Sequence, residues 1–271
     1  MSNFLTRLIT GVIYGGTIIA CLMLGKLTCT ILFFALMIMA LLEFYTLVKK
    51  DNSQPQIVTG LMTAVVMYFS SVLFFESLEL SHFFINCTLL LILFIFCCEL
   101  FKKTEPNFNN IALTLAGLIY IALPMSLTHF LSHNSTNNYD YTLLLSVFIL
   151  IWLTDTGGYL IGKRFGKHKL HDKISPKKSW EGAAGSLLFS TIGSIIISFT
   201  LTQMSHIEWV LLAIVVSVGS LIGDLVESHL KRSLGRKDSG RILPGHGGIL
   251  DRIDSALFVI PTVYIYINFI Q

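Results

Sequence analysis

Residues 141–161 read YTLLLSVFILIWLTDTGGYLI, a run whose one formally charged side chain is Asp155. A helix rising 1.5 Å per residue needs about 20 mostly apolar residues to cross a hydrocarbon core about 30 Å thick. This run has that length. Its apolar residues are continuous instead of recurring at a helical or strand period, which points to a bilayer as the solvent. Lys163 and Arg164 follow directly, the charge expected at a cytoplasmic membrane edge.

Similar runs lie on either side, at 8–25, 27–48, 57–75, 83–101, 111–131, 183–201, 209–227 and 249–269. Together they predict an all-α polytopic membrane protein of about nine transmembrane helices, with the N-terminus cytoplasmic and the C-terminus outside. Composition agrees. Of 271 residues 54% are hydrophobic and 13% charged, and the mean hydropathy is +0.72, too little charge to clothe a soluble domain. The run after Arg7 is read as an uncleaved first helix and not a signal peptide, because no small-residue cleavage site follows and the next run begins at Leu27. Cys21, Cys29, Cys87, Cys97 and Cys98 lie in or beside apolar runs without metal-type spacing, and read as small hydrophobes.

Orientation comes from the loops. Every lysine and arginine except Lys26 falls on one side of the nine runs, and the positive-inside rule makes that side cytoplasmic. Residues 1–140 then form an N-terminal region of about five spans. Residues 141–271 form a C-terminal catalytic region with two cytoplasmic basic loops, 162–182 and 228–248.

Acids within membrane helices are costly, roughly 2.5–3.5 kcal/mol each near the bilayer centre. Asp155 lies near the cytoplasmic end of its run, Asp224 and Glu227 close the run 209–227, and Asp251 and Asp254 open the run 249–269. The last two pairs have i, i+3 spacing and so share a helical face. Such an all-oxygen cluster repels itself unless cations lie within it; it suits Mg²⁺, and salt bridges with Lys231, Arg232 and Arg252 are the alternative. Lys231 lies one turn beyond Glu227, which makes a salt bridge the preferred reading there. Glu43 and Glu99 are expected to pair with Lys49-Lys50 and Lys102-Lys103.

The loop after residue 227 carries Lys231, Arg232, Arg236, Lys237 and Arg241, then Pro244-Gly245 and His246-Gly247-Gly248. Basic residues alone mark topology or anionic lipid. Glycines directly ahead of a helix let backbone amides and the helix dipole approach a phosphate. The earlier loop offers Ser175-Pro176, Lys177-Lys178, Ser179 and Trp180, suited to phosphates or to an interfacial anchor.

The stretch 228–254 resembles the signature of the phosphatidate cytidylyltransferases, the CDP-diacylglycerol synthases. Ser228, Lys231-Arg232, Lys237-Asp238, Gly240, Leu243-Pro244, His246-Gly247-Gly248, Asp251-Arg252 and Asp254 fill the pattern. Residues 175–182 resemble a second family motif, with Ser179 where threonine is more usual. The resemblance is strong over the C-terminal half and general over the first five spans. It implies transfer of CMP from CTP to phosphatidic acid, giving CDP-diacylglycerol and pyrophosphate with Mg²⁺ and a possible second cation, for phospholipid biosynthesis. It also implies the inner membrane of a bacterial cell, a cytoplasm-facing active site, contact with membrane lipids, no nucleic acid, and a homodimer. Set beside that reaction, Asp224 and Asp251 are expected at the metal with Asp254 and Asp155 in support. Lys231, Arg232 and Lys237 are expected on phosphates, and Lys177, Lys178, Ser175, Ser179 and Arg241 on the nucleotide side. Gly247 and Gly248 would seat an anion, and His246 is either a general acid or a structural hydrogen bond. The rival readings are a membrane nucleotidyl- or phosphotransferase acting on another lipid, of polyprenol kinase or CDP-archaeol synthase type, and an ion-coupled transporter.

Overall fold

The computed structural model describes residues 3–50, 53–102, 106–134, 136–236, 239–240 and 247–270, with side chains from Thr10 onward. The helices are α1 (Asn3–Leu24), α2 (Lys26–Val48), α3 (Ile57–Leu73), α4 (Leu78–Leu100), α5 (Phe108–Gly117), α6 (Leu123–Leu131), α7 (Thr142–Phe165), α8 (Trp180–Ser198), α9 (His206–Ser233) and α10 (Leu250–Ile270). Among the described residues seven helical stretches are long and apolar enough to cross a membrane: α2, α4, the continuous Phe108–Leu131, α7, α8, α9 and α10. Thr10–Leu24 and Ile57–Leu73 are apolar but shorter. The protein is an all-α polytopic integral membrane protein.

α5 and α6 are one span joined by a π-helical turn, Leu118–Ala122. Pro124 supplies the reason. It has no amide N–H for a helical bond and its ring crowds the preceding turn, so the ladder widens just ahead of it. One departure from the all-helical expectation is a short antiparallel hairpin within the first basic loop, β1 (Lys169–His171) and β2 (Ser175–Ser179). Its base is tied by Glu181, which accepts from the amides of Lys167 and His168 at 3.1 and 3.2 Å.

The chain divides into two compact units, one comprising Met1–Tyr139 with Asp238–Asp251 and the other Asp140–Lys237 with Arg252–Gln271. In the first, Tyr45 is fully buried between Gly60 of α3 and Gly117 of α5, and its hydroxyl donates to the Thr114 carbonyl at 2.9 Å. α4 is inside out relative to a soluble helix. Ser81, Thr88, Ile95 and Glu99 form its buried stripe, while Leu89, Leu90, Leu93 and Phe94 are exposed. Glu99 accepts from the Asn107 amide at 3.0 Å, Asn110 Nδ2 at 2.6 Å and Gln56 Nε2 at 3.0 Å, with the expected Lys102 at 3.8 Å.

In the second unit α7 and α8 cross backbone to backbone. A Cβ added at Gly157 would stand 2.6 Å from the Gly185 carbonyl, and one at Gly185 would stand 2.8 Å from the Gly157 carbonyl. Small residues permit this approach, which dispersion then rewards in lipid. Ser186 of α8 donates to the Thr154 carbonyl at 2.8 Å across the same seam. α9 starts with a capping box formed by Ser205 and Glu208 and packs Gly223 against the backbone of Asp254 in α10.

Candidate functional site

The crossing of α7 with α8 and the packing of α9 on α10 set the acids. Asp155 accepts from Ser220 Oγ at 3.3 Å, and Ser220 Oγ lies 3.0 Å from Ser255 Oγ, whose hydroxyl is free to donate to it. Asp254 accepts from the Ser255 amide at 2.7 Å. Asp224 accepts from Ser228 Oγ at 3.2 Å and pairs with Lys178 Nζ at 2.7 Å. Asp155, Asp224 and Asp254 lie close enough for their charges to act on one another, with Lys178 and Arg252 acting on Asp155 and Lys231 on Asp254. Asp155 is exposed, and Asp224 and Asp254 are partly so.

Among the described residues no three His, Cys, Asp or Glu side chains converge closely enough to hold an ion by themselves. Mg²⁺ commonly takes one or two carboxylates and fills its remaining positions with water and substrate phosphate. The oxygen-only donors of Asp155, Asp224 and Asp254 fit that mode.

β2 brings basic residues to these acids. A cavity of about 370 Å³ in this unit is lined by Lys163, Lys177, Lys178, Tyr159, Ser179 and the backbone of Gly158, Gly162 and Gly182, among others. Lys178 lines it and also reaches Asp224, so cavity and carboxylates share a wall. Lys177 is exposed and Ser175 half-buried. Ser179, expected on the nucleotide side, lines the cavity and has a structural bond as well. It is buried and caps α8, accepting from the Gly182 amide at 3.1 Å, because a helix start leaves amides that need an acceptor. Lys231 pairs with Glu227 at 2.5 Å, the salt bridge its spacing suggested, and Arg232 is exposed.

In the first unit Asp251 Oδ2 accepts from the amides of Gly248 at 2.8 Å and Ser239 at 3.2 Å. The head of α10 differs from the expected phosphate seat. The amides of Ile249 and Leu250 donate to Glu43 at 2.7 and 3.2 Å, and that of Gly248 donates to Asp251, so protein carboxylates already serve as their acceptors. Gly247 has φ +85°, where a side chain is strained. Lys237, Arg241 and His246 lie outside the described residues.

The sequence profile of the cytidylyltransferase family matches residues 5–270. The chain belongs to the cytidylyltransferase family. It is similar to the phosphatidate cytidylyltransferase of Bacillus subtilis, 35% identical over 266 residues that cover 97% of each chain. The Staphylococcus haemolyticus phosphatidate cytidylyltransferase is 34% identical over 269 residues, 96% of this chain and 97% of that one. The Staphylococcus aureus protein of the same name is 42% identical over 166 residues, 60% of this chain and 62% of its own.

Two cavity-lining residues and one buried acid of the first unit escaped the sequence reading. Lys163 read as a membrane-edge charge and Tyr159 only as part of the run 141–161, yet one turn of α7 places both on the cavity wall, with Lys163 Nζ 3.3 Å from the Tyr159 hydroxyl. Glu43 read as a partner for Lys49-Lys50. Its partners are Ser239, Ile249 and Leu250, roughly two hundred positions away in sequence, a separation no local pattern encodes.

Proposed function

We propose that this chain transfers CMP from CTP to phosphatidic acid, giving CDP-diacylglycerol and pyrophosphate. The observation that carries the reading is the shared wall, where Lys178 lines a lysine-bearing cavity and touches a carboxylate of an oxygen-only cluster. Full-length relatives named phosphatidate cytidylyltransferase supply the choice of lipid and nucleotide.

An oxygen of the lipid phosphate attacks the α-phosphorus of CTP, and the bond from that phosphorus to the bridging β-oxygen breaks. Pyrophosphate leaves with the bonding pair. The substrate supplies the nucleophile, so the protein's task is alignment and charge neutralisation. Lys163, Lys177 and Lys178 hold phosphate oxygens in the cavity, and Lys231 and Arg232 add positive field beside Asp254. Mg²⁺, with Asp155, Asp224 and Asp254 as its candidate holders and Asp251 assigned from sequence, would supply charge neutralisation on the polyphosphate.

The finer topology belongs to the same proposal. The chain makes nine crossings, with 1–140 as the N-terminal spans and 141–271 as the catalytic region. The N-terminus is inside, the C-terminus is outside, and the site faces the cytoplasm across a bacterial inner membrane. Charge distribution supports this, as does chemistry: CTP stays in water and phosphatidic acid stays in the bilayer. We also propose a homodimer, on the resemblance alone.

The test uses detergent-purified protein, Mg²⁺, phosphatidic acid and α-labelled CTP, following label into the lipid phase together with pyrophosphate release. Transfer that requires phosphatidic acid and is lost in Asp224→Asn is the expected result. No transfer of label to phosphatidic acid by folded protein, or transfer that survives in Asp224→Asn, would overturn the assignment.

A further inference from the structure

Glu43 sits 6% exposed in α2, and the reaction just described gives it no task. A carboxylate buried without compensating donors costs several kcal/mol. Glu43 has three donors, and all come from one short segment. Oε1 accepts from Ser239 Oγ at 2.6 Å. Oε2 accepts from the amides of Ile249 at 2.7 Å and Leu250 at 3.2 Å. Those amides are the first of α10 and the one directly ahead of it, where orphan N–H groups and the helix dipole favour a negative charge.

The same segment holds Asp251. Ser239 gives its hydroxyl to Glu43 and its amide to Asp251 Oδ2, and Gly248 gives its amide to Asp251 immediately before the two residues that bind Glu43. Glu43 thus grips both ends of the stretch whose amides orient Asp251. Two glycines make room for it. A Cβ at Gly240 or at Gly248 would run into the Glu43 carboxylate. Gly248, read in sequence as part of an anion seat, makes room together with Gly240 for an internal carboxylate.

We infer that Glu43 is a positioning residue for Asp251, holding Ser239 and the turn Gly248–Leu250 so that the Asp251 carboxylate is presented in one orientation. The inference rests on the reading of Asp251 as a Mg²⁺ holder. Residues that orient a metal-holding carboxylate commonly contribute about 10–100-fold to metal affinity. Glu43→Gln keeps the volume while losing the charge and half of the acceptor capacity. Glu99→Gln is the matched control, because Glu99 is a buried carboxylate of the same unit whose donors are Gln56, Asn107 and Asn110, none of them in the segment that holds Asp251.

The experiment compares wild type, Glu43→Gln and Glu99→Gln in detergent by three readouts. These are Mn²⁺ binding by electron paramagnetic resonance without substrate, hydrogen exchange of the 247–251 amides, and the Mg²⁺ dependence of CMP transfer. The expected result for Glu43→Gln is Mn²⁺ binding and Mg²⁺ half-saturation weakened about tenfold or more, with faster exchange at Ile249 and Leu250. Glu99→Gln should lower the melting temperature and leave all three readouts in place. Should Glu43→Gln fail to fold, Ser239→Ala, which removes one clamp bond and leaves Glu43, should move the same readouts in the same direction by a smaller factor. Unchanged metal binding in a folded Glu43→Gln or Ser239→Ala, or an equal shift in Glu99→Gln, overturns the inference. Wild type that binds Mn²⁺ but transfers no CMP would instead refute the assigned reaction, while leaving the clamp to be judged by binding and exchange.

Discussion

Gly185→Ala probes the seam on which the site is built. The added Cβ would lie 2.5 Å from Ile161 Cβ, 2.6 Å from Ile161 Cγ1 and 2.8 Å from the Gly157 carbonyl oxygen. Carbon atoms rest about 3.5–4.0 Å apart, so the helices must separate by about 1 Å or more at this point. Ile161 is β-branched and has little rotamer freedom in a helix, and the carbonyl is backbone, so neither neighbour can swing aside. Overpacking of this kind typically costs about 1–3 kcal/mol. The functional effect should be larger than the stability loss suggests. α7 carries Asp155, Tyr159 and Lys163, whereas α8 carries Gly182, Ala183 and Ser186 on the opposing cavity wall, and a displacement near 1 Å can lower turnover by about 100-fold. The assay is thermal unfolding in detergent beside steady-state CMP transfer, with Gly16→Ala as control because nothing lies within 4 Å of a Cβ there. A Gly185→Ala protein with wild-type melting and wild-type turnover would refute the claim that this crossing sets the cavity.

Three further outcomes follow from particular contacts. Gly60→Ala places a Cβ 2.5 Å from the Tyr45 hydroxyl and should destabilise the first unit by about 1–3 kcal/mol, seen as a lower melting temperature. Ser205→Ala removes the capping box at the start of α9 and should cost about 1 kcal/mol; turnover should hold, since Asp224 lies 19 residues on, about 28 Å along the same helix. Lys177→Met, at an exposed position, should leave melting unchanged. It should raise the KM for CTP about tenfold or more, the worth of one charge-assisted contact, and an unchanged KM would remove Lys177 from the nucleotide.

Membrane character was legible because it is a property of composition and run length, and α7 needed no partner to be recognised. The acids were legible for a related reason, since hydrocarbon makes Asp155, Asp224 and Asp254 costly wherever they pack. Lys231 with Glu227 followed from helical spacing. What the sequence hid depends on contacts between distant segments or on local geometry with more than one outcome. The β1–β2 hairpin contains Lys169, Lys173, Pro176 and Lys178, a composition that reads as loop, and its pairing places Lys178 against Asp224. Ser179 is equally able to bind a ligand or cap a helix, and it caps α8 from a place on the cavity wall. Glu43 is the extreme case, where a pairing across most of the chain replaced the lysines that stand six and seven residues away from it.

α4 illustrates how selection acts on a chain immersed in lipid. A 17% share of its apolar window is buried, and three of the four residues of its buried stripe, Ser81, Thr88 and Glu99, are polar. Outward positions such as Leu89, Leu90 and Leu93 meet hydrocarbon tails, which cannot tell leucine from isoleucine or phenylalanine by shape. Mutations among those residues are therefore nearly neutral, and lineages should lose resemblance there first while Ser81, Thr88 and Glu99 persist. Identity averaged along α4 would then understate kinship, and a few polar letters would hold most of its ancestry.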